Sequence, residues 1–247
     1  MGAAAIIVAI LLGWQAYANW GPVDPYILPA PTEIAETMWD DRALLWDDTL
    51  VTASEIVLGL AVALIFGLLV ALLMHWSRSA RDAGGPLLVA SQAIPIPVIA
   101  PLLVFWWGFG LWPKIFVVAL VCYFPVVITT LNALRAVDPE LPKLLRTLGA
   151  SRSQILRYAE LPAALPAALS GAKIAVAIGG IAAVFAEYTG SSSGLGNLIL
   201  KSIPQLETAR AWAAVVVLAA LSLACFYALA FAERRLAPWA HRPKDHA

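Results

Sequence analysis

The stretch TLGASRSQILRYAELPAALP, residues 147–166, interrupts an oily chain with a short basic segment built around a glycine and closed by two prolines. Extended back to residue 137, it reads as two short helices on a glycine joint. Asp138 is placed as an N-cap, Pro139 suits the first helical position, and Glu140 is favourable in the first turn. Leu141, Leu144, Leu145 and Leu148 then fall at i, i+3, i+4 and i+7 on one apolar stripe. Gly149 follows directly, where a helix end calls for a left-handed residue. Ser151 and Gln154 have capping-box spacing, and Leu161-Pro162 is expected to stop the second helix. A leucine face on such a pair must be covered, either by the chain's own helix ends or by a partner.

Outward from this segment the chain is apolar. Its 247 residues are 61% hydrophobic and 13% charged, with mean hydropathy +0.81, whereas a soluble domain carries about 25% charged residues. An all-α integral membrane protein follows. Net charge is zero and no long basic run occurs, which argues against nucleic acid. Cys122 and Cys225 sit inside apolar runs as small hydrophobes. His75, His241 and His246 show no metal-ligand spacing. About six membrane spans are expected, near residues 3–20, 52–74, 86–108, 114–131, 163–186 and 211–231. Prolines 86, 95, 97, 101 and 113 mark the third as kinked. The first lacks a basic leader and reads as an uncleaved anchor.

Lysine and arginine set the orientation. Arg78 and Arg81 follow the second span, and Arg135, Lys143, Arg146, Arg152 and Arg157 follow the fourth. Arg234, Arg235, Arg242 and Lys244 follow the sixth. The opposite loops hold Arg42, Lys114, Lys201 and Arg210, with seven acids between residues 24 and 48. The basic side is therefore expected to be cytoplasmic, with both termini on it. Residues 31–46, PTEIAETMWDDRALLW, read as a helix lying on the outer surface, capped by Thr32, with Ile34, Met38, Leu45 and Trp46 against headgroups.

The glycine-jointed segment resembles the cytoplasmic EAA loop of permease subunits of bacterial ABC importers, of pattern E-A-A-x-x-x-G-x(9)-I-x-L-P. Gly149 matches the glycine and Leu161-Pro162 the closing L-P, while Lys143-Leu144-Leu145 and Ala159 depart from it. RTLGASRSQILRYAELPAALP and, at residues 186–200, AEYTGSSSGLGNLIL are similar to the branch handling sulfonates, nitrate, taurine and thiamine precursors. The resemblance spans about residues 47–236, leaving 1–46 as an anchor with its surface helix and 237–247 as a cytoplasmic tail. It implies a type I importer transmembrane domain whose coupling helices, about 138–161, dock on a separate ATPase. Arg146, Leu148, Gly149, Ala150, Ser151 and Arg152 would make that docking turn. It also implies a second permease copy and an extracytoplasmic substrate-binding protein. ATP and magnesium would belong to the ATPase, with no cofactor in this chain, which has no G-x-x-x-x-G-K-[ST] loop.

Polar residues at membrane depth are candidates for a path. Lys173 is placed to snorkel or to face a pore. Glu187, followed by Ser191 in a Gly/Ser turn, is either a solvated helix end or an outer gate. Gln92, Pro95 and Pro97 mark a broken helix that lines a cavity or merely shapes the bundle, and Asn132 is a weaker member of the same set. Trp106, Trp107, Phe109 and Trp112 read as an interfacial belt, with a substrate cage as the alternative. Gly171, Ala175, Gly179 and Ala183 form a close-packing face, which can lie within one bundle or at a subunit interface and is expected near a dimer axis. An ion-coupled carrier would need paired intramembrane acids or matching broken halves, and neither is seen. A non-transporting scaffold is the other alternative. The stretch from residue 91 to 141 looks most like permeases for thiamine-precursor pyrimidines or riboflavin; a sulfonate, taurine or nitrate is the alternative cargo.

Overall fold

The computed structural model describes residues 2–24 and 26–241 of the chain. Arg242, Lys244 and His246, and most of the expected tail, lie outside the described residues. The helices are α1 (Gly2–Trp20), α2 (Pro31–Asp40), α3 (Arg42–Trp76), α4 (Arg78–Gln92), α5 (Ile96–Trp107) and α6 (Leu111–Arg135). They continue with α7 (Glu140–Thr147), α8 (Arg152–Ile155), α9 (Leu161–Gly190), α10 (Leu195–Ser202) and α11 (Thr208–Leu236).

Among the described residues four helical stretches are long and apolar enough to cross a bilayer: α3, α6, α8 running into α9, and α11. The pair α4 and α5 makes a fifth span only if taken together, because it bends by 94° at residues 93–95. The kink expected in this region is therefore a true break. Pro95 stands at the break, without an N–H and disfavouring helix at Ile94 before it, while Pro97 is accommodated in the first turn of α5. The apolar run of α1, Ala4–Trp20, reaches only about 26 Å at 1.5 Å per residue, short of a ~30 Å hydrocarbon core.

Helix α6 is the centre of the bundle, packed between α3 and α9. Small residues make the approach close on both sides. A Cβ at Gly59 would stand 2.5 Å from Val118 Cγ1, and one at Gly67 would stand 2.9 Å from Val126 Cγ1. On the other side, a Cβ at Gly171 would lie 2.8 Å from the Pro125 carbonyl oxygen, and one at Gly179 would lie 3.3 Å from Cys122 Sγ. Ala175 and Ala183 are fully buried, and Cys122 donates its thiol hydrogen to the Ala175 carbonyl at 3.3 Å. The small-residue face thus seats α9 on α6 within one chain and is used up there. Burial within one bundle is therefore how these four residues are used in this chain.

Two further expectations change. Helix α2 starts at Pro31 after Ala30, whose N–H donates to Glu33 Oε2 at 3.1 Å. Thr32 instead pairs with Gln15 of α1, which donates to its hydroxyl and accepts from its N–H, both at 3.1 Å. Ile34 and Leu45 are buried against Leu195, Leu198, Ile199, Ala213 and Ala214, with Met38 beside them. The chain's own α10 and α11 cover that face, so of the four expected headgroup contacts only Trp46 stays exposed. Second, Pro162 does not end a helix. Residues Leu156–Glu160 form a π turn, closed by Leu161 N–H on the Leu156 carbonyl, and α9 starts with Pro162 in its first turn. The wider turn accommodates the missing proline N–H.

Gly171→Val is expected to lower stability by about 1–3 kcal/mol through overpacking against α6, read as a fall in Tm in detergent. Gly85→Ala, where an added Cβ meets nothing within 4 Å, is expected to leave Tm unchanged or raise it.

Candidate functional site

At the basic end of the bundle, α7 and α8 meet at a glycine elbow. The Asp138 side chain accepts from Glu140 N–H at 2.9 Å, and α7 then presents Leu141, Leu144 and Leu148 to the outside. Gly149 has φ +85°, and no neighbour lies within 4 Å of where its Cβ would be. Gly149 N–H donates to Arg146 carbonyl at 3.0 Å and Ala150 N–H to Leu145 carbonyl at 2.9 Å, a two-bond helix closure. Ser151 Oγ accepts from Gln154 N–H at 3.3 Å, while Ser151 N–H donates to Gln154 Oε1 at 2.7 Å, completing the capping box.

The structure brings Arg146, Leu148, Gly149, Ala150, Ser151 and Arg152 together at this one elbow. Arg152 has a task inside the chain as well: its guanidinium donates to the Trp76 carbonyl at the end of α3 at 2.9 Å. Nearby His75 Nε2 lies 3.1 Å from Glu160. The elbow is thereby held against the spans while its leucines are left uncovered.

The opposite end of the bundle holds a buried polar node. Glu187, at the end of α9, is fully buried, which removes the solvated-end reading. One of its oxygens accepts from Thr52 Oγ at 2.6 Å, and the other from the N–H groups of Gly196 at 2.6 Å and Asn197 at 3.2 Å. A carboxylate is thus seated on the N-terminus of α10, where orphan N–H groups and the helix dipole favour it. Glycines make the fit: Gly194 has φ +109°, and a Cβ there would fall 2.5 Å from the Glu187 carboxyl. Asp48 Oδ1 accepts from Gly194 N–H at 2.7 Å, and Thr52 Oγ accepts from Leu195 N–H at 2.9 Å.

Beside Glu187 lies Glu55 of α3, also fully buried. Lys114 of α6 donates to Glu55 Oε1 at 2.6 Å and to Ser191 Oγ at 2.7 Å, and Asn197 Nδ2 donates to the Ser191 carbonyl at 2.7 Å. Lys114, Ser191, Ser192, Ser193 and Phe109 line an open cleft of about 380 Å³.

Sequence reading missed Glu55 and placed Lys114 in an outer loop. The expectation that no paired intramembrane acids exist is corrected: Glu55 and Glu187 are such a pair. Each is engaged, however, Glu55 by Lys114 and Glu187 by the α10 N-terminus. The offset of 59 residues that sets Gly59 against Val118 also sets Glu55 against Lys114. Nothing local to either segment signals that offset.

Of the remaining candidates, Lys173 does not snorkel but donates to Glu233 of α11 at 2.5 Å. Gln92, Pro95 and Pro97 lie exposed at the break between α4 and α5, and Asn132 is exposed near the basic end of α6. These four are not joined to Glu187 and Ser191 by any hydrogen bond among the described residues.

Residues 63–240 match the family model described as the binding-protein-dependent transport system inner membrane component. The chain belongs to that family. The permease is 39% identical over 224 residues, 91% of each chain, to a probable ABC transporter permease protein of Haemophilus influenzae. It is 33% identical to the formylaminopyrimidine transport permease protein ThiX of Halalkalibacterium halodurans, covering 87% of this chain and 86% of that one. It is 34% identical to the riboflavin transport system permease protein RibX of Chloroflexus aurantiacus, covering 97% and 90%. Its fold is shared with the MetNI methionine ABC transporter in inward-facing form, with TM-score 0.67 at 20% identity, covering 84% of this chain and 99% of that one. The permease is thus an ABC importer subunit, with the type I fold.

Lys114→Met leaves Glu55 buried without its counter-charge and is expected to cost the permease about 3–5 kcal/mol, read from thermal unfolding. The double variant with Glu55→Leu is expected to recover most of that loss, so equal instability of the two would contradict the pairing.

Proposed function

We propose that this permease works as two copies around one path, with two ATPase subunits docked at the α7–α8 elbows and one substrate-binding protein on the opposite face. The observation that carries this is the elbow. Its leucine stripe is exposed, with Leu148 74% accessible, yet its backbone is closed by caps and pinned to α3. A rigid, apolar, outward-facing turn is a surface shaped for a protein partner. Its basic surroundings support a cytoplasmic placement of this end and of both termini, in a bacterial inner membrane. ATP and magnesium would then act on the partner, this chain holding no cofactor and performing no hydrolysis. ATP-driven closure of the two ATPases would pull the elbows together. That motion is transmitted through Arg152 to α3 and through the π turn to α9.

The path itself is best supported at the α4–α5 break. Helices broken at membrane depth are tolerated where they line a cavity, and Gln92, Pro95 and Pro97 stand there. Glu187 and Ser191 would shape the outer mouth by fixing α10 and the turn before it, not by meeting the cargo in open solvent. For cargo we favour a thiamine-precursor pyrimidine or a riboflavin-like molecule, supported by its likeness to the formylaminopyrimidine and riboflavin permeases; a sulfonate, taurine or nitrate is the alternative.

Gly149→Val forces a β-branched residue to positive φ, a local cost of about 1–3 kcal/mol. The expected result is a chain that inserts normally but loses ATPase subunits on native mass measurement, or keeps them without coupled transport. Gly149→Asn, which tolerates that conformation better, should be milder. Full coupled transport by the valine variant would refute the docking role.

A further inference from the structure

Between α3 and α6, directly beside the break in α4 and α5, lies a cleft of about 300 Å³, at the lower end of the ~300–1,000 Å³ range of small-molecule pockets. Its walls include Val62, Phe66, Phe116, Leu120 and Tyr123, and Ala63 and Ala119 leave the space between the rings. Phe66 and Tyr123 meet edge to face at 5.5 Å. Tyr123 is the midpoint of the 25-residue helix α6, which at 1.5 Å per residue is about 37 Å long against a ~30 Å core.

We propose that this cleft is where the cargo ring rests in mid-membrane, and that it selects an uncharged, planar nitrogen heteroaromatic. The inference rests on the importer reading and narrows its cargo. Three features carry it. The walls are aromatic and flat-sided, suited to a π-system stacked or met edge-on. The broken helix adds a polar edge: Ser91 Oγ and the Tyr123 hydroxyl are hydrogen-bonded to each other. Gln92 Nε2 reaches Ser91 Oγ and the Leu120 carbonyl only at 3.4 Å. An amide so loosely held can both donate to a ring nitrogen and accept from a ring amino group. Finally, the walls hold no charged residue. The two spanning-helix lysines are already paired, Lys114 with Glu55 and Lys173 with Glu233. A sulfonate or nitrate entering here would lose its hydration without gaining a counter-charge, which is costly.

The test is ATP-driven uptake into proteoliposomes containing the full complex of permease, ATPase and substrate-binding protein, with tritiated formylaminopyrimidine and tritiated taurine as separate probes. Wild type is expected to take up the pyrimidine. Phe66→Leu and Gln92→Leu are expected to slow that uptake by tenfold or more, and Phe66→Tyr to restore most of it. Phe231→Leu, an exposed ring on α11 away from the cleft, should transport at the wild-type rate and control for general loss of an aromatic side chain. Wild-type rates in both Phe66→Leu and Gln92→Leu overturn the proposal. So does a wild-type complex that moves taurine and not the pyrimidine. Neither result touches the importer reading, which fails instead if the purified permease retains no ATPase.

Discussion

The Glu187 carboxylate on the N-terminus of α10 is the contact on which the far end of this bundle depends. Inside a bilayer, backbone groups find no water and must be satisfied by protein. The chain leaves α9 at Gly190, turns through three serines, and begins α10 while still buried. The first N–H groups of α10 would be orphans there. Glu187 supplies two of them with an acceptor, Thr52 and Asp48 supply two more, and the close approach is possible only because residues 194 and 196 are glycines. The same acid in the last turn of one helix therefore starts the next, and α3 is locked to both.

Lys114 is a consequence of that arrangement. Asp48, Glu55 and Glu187 gather in one buried node, and Lys114 of α6 donates to Glu55 within it. Because Lys114 also holds Ser191, it ties the serine turn to α3 and α6 together. This end of the molecule behaves as one hydrogen-bonded unit. The basic end is built differently: Arg152 and His75 anchor an elbow whose own apolar face stays free. One end is closed by internal pairing, and the other is left to be completed by a partner.

Between the two ends, packing is governed by small residues on the two helices that flank α6. Glycines 59 and 67 on α3 and Gly171 and Gly179 on α9 let two helices approach it nearly to backbone contact. With no hydrophobic drive between helices in lipid, such contact is what holds them. The break at residues 93–95 then stands against a rigid three-helix core, which gives a mid-membrane cleft fixed walls on one side and a polar, broken edge on the other.

Local chemistry was enough to read the membrane class, the glycine elbow with its caps, the leucine stripe and the proline-marked break, because each depends on residues within one or two turns of each other. Gly149 after a leucine stripe, and Ser151 three residues before Gln154, carry their meaning without knowing what lies beside them. Glu187 was singled out from sequence, but its role was not legible, since its partners Thr52, Gly196 and Asn197 come from two other helices. Glu55 escaped notice, Lys114 read as a loop residue, and the two make sense only as a pair. Which face of α9 meets α6, and that α2 rests on α10 and α11 instead of headgroups, were likewise decided by tertiary structure. A periodic pattern states that a face will be covered; only the register of distant helices, set by steric fit at the glycines, states by what.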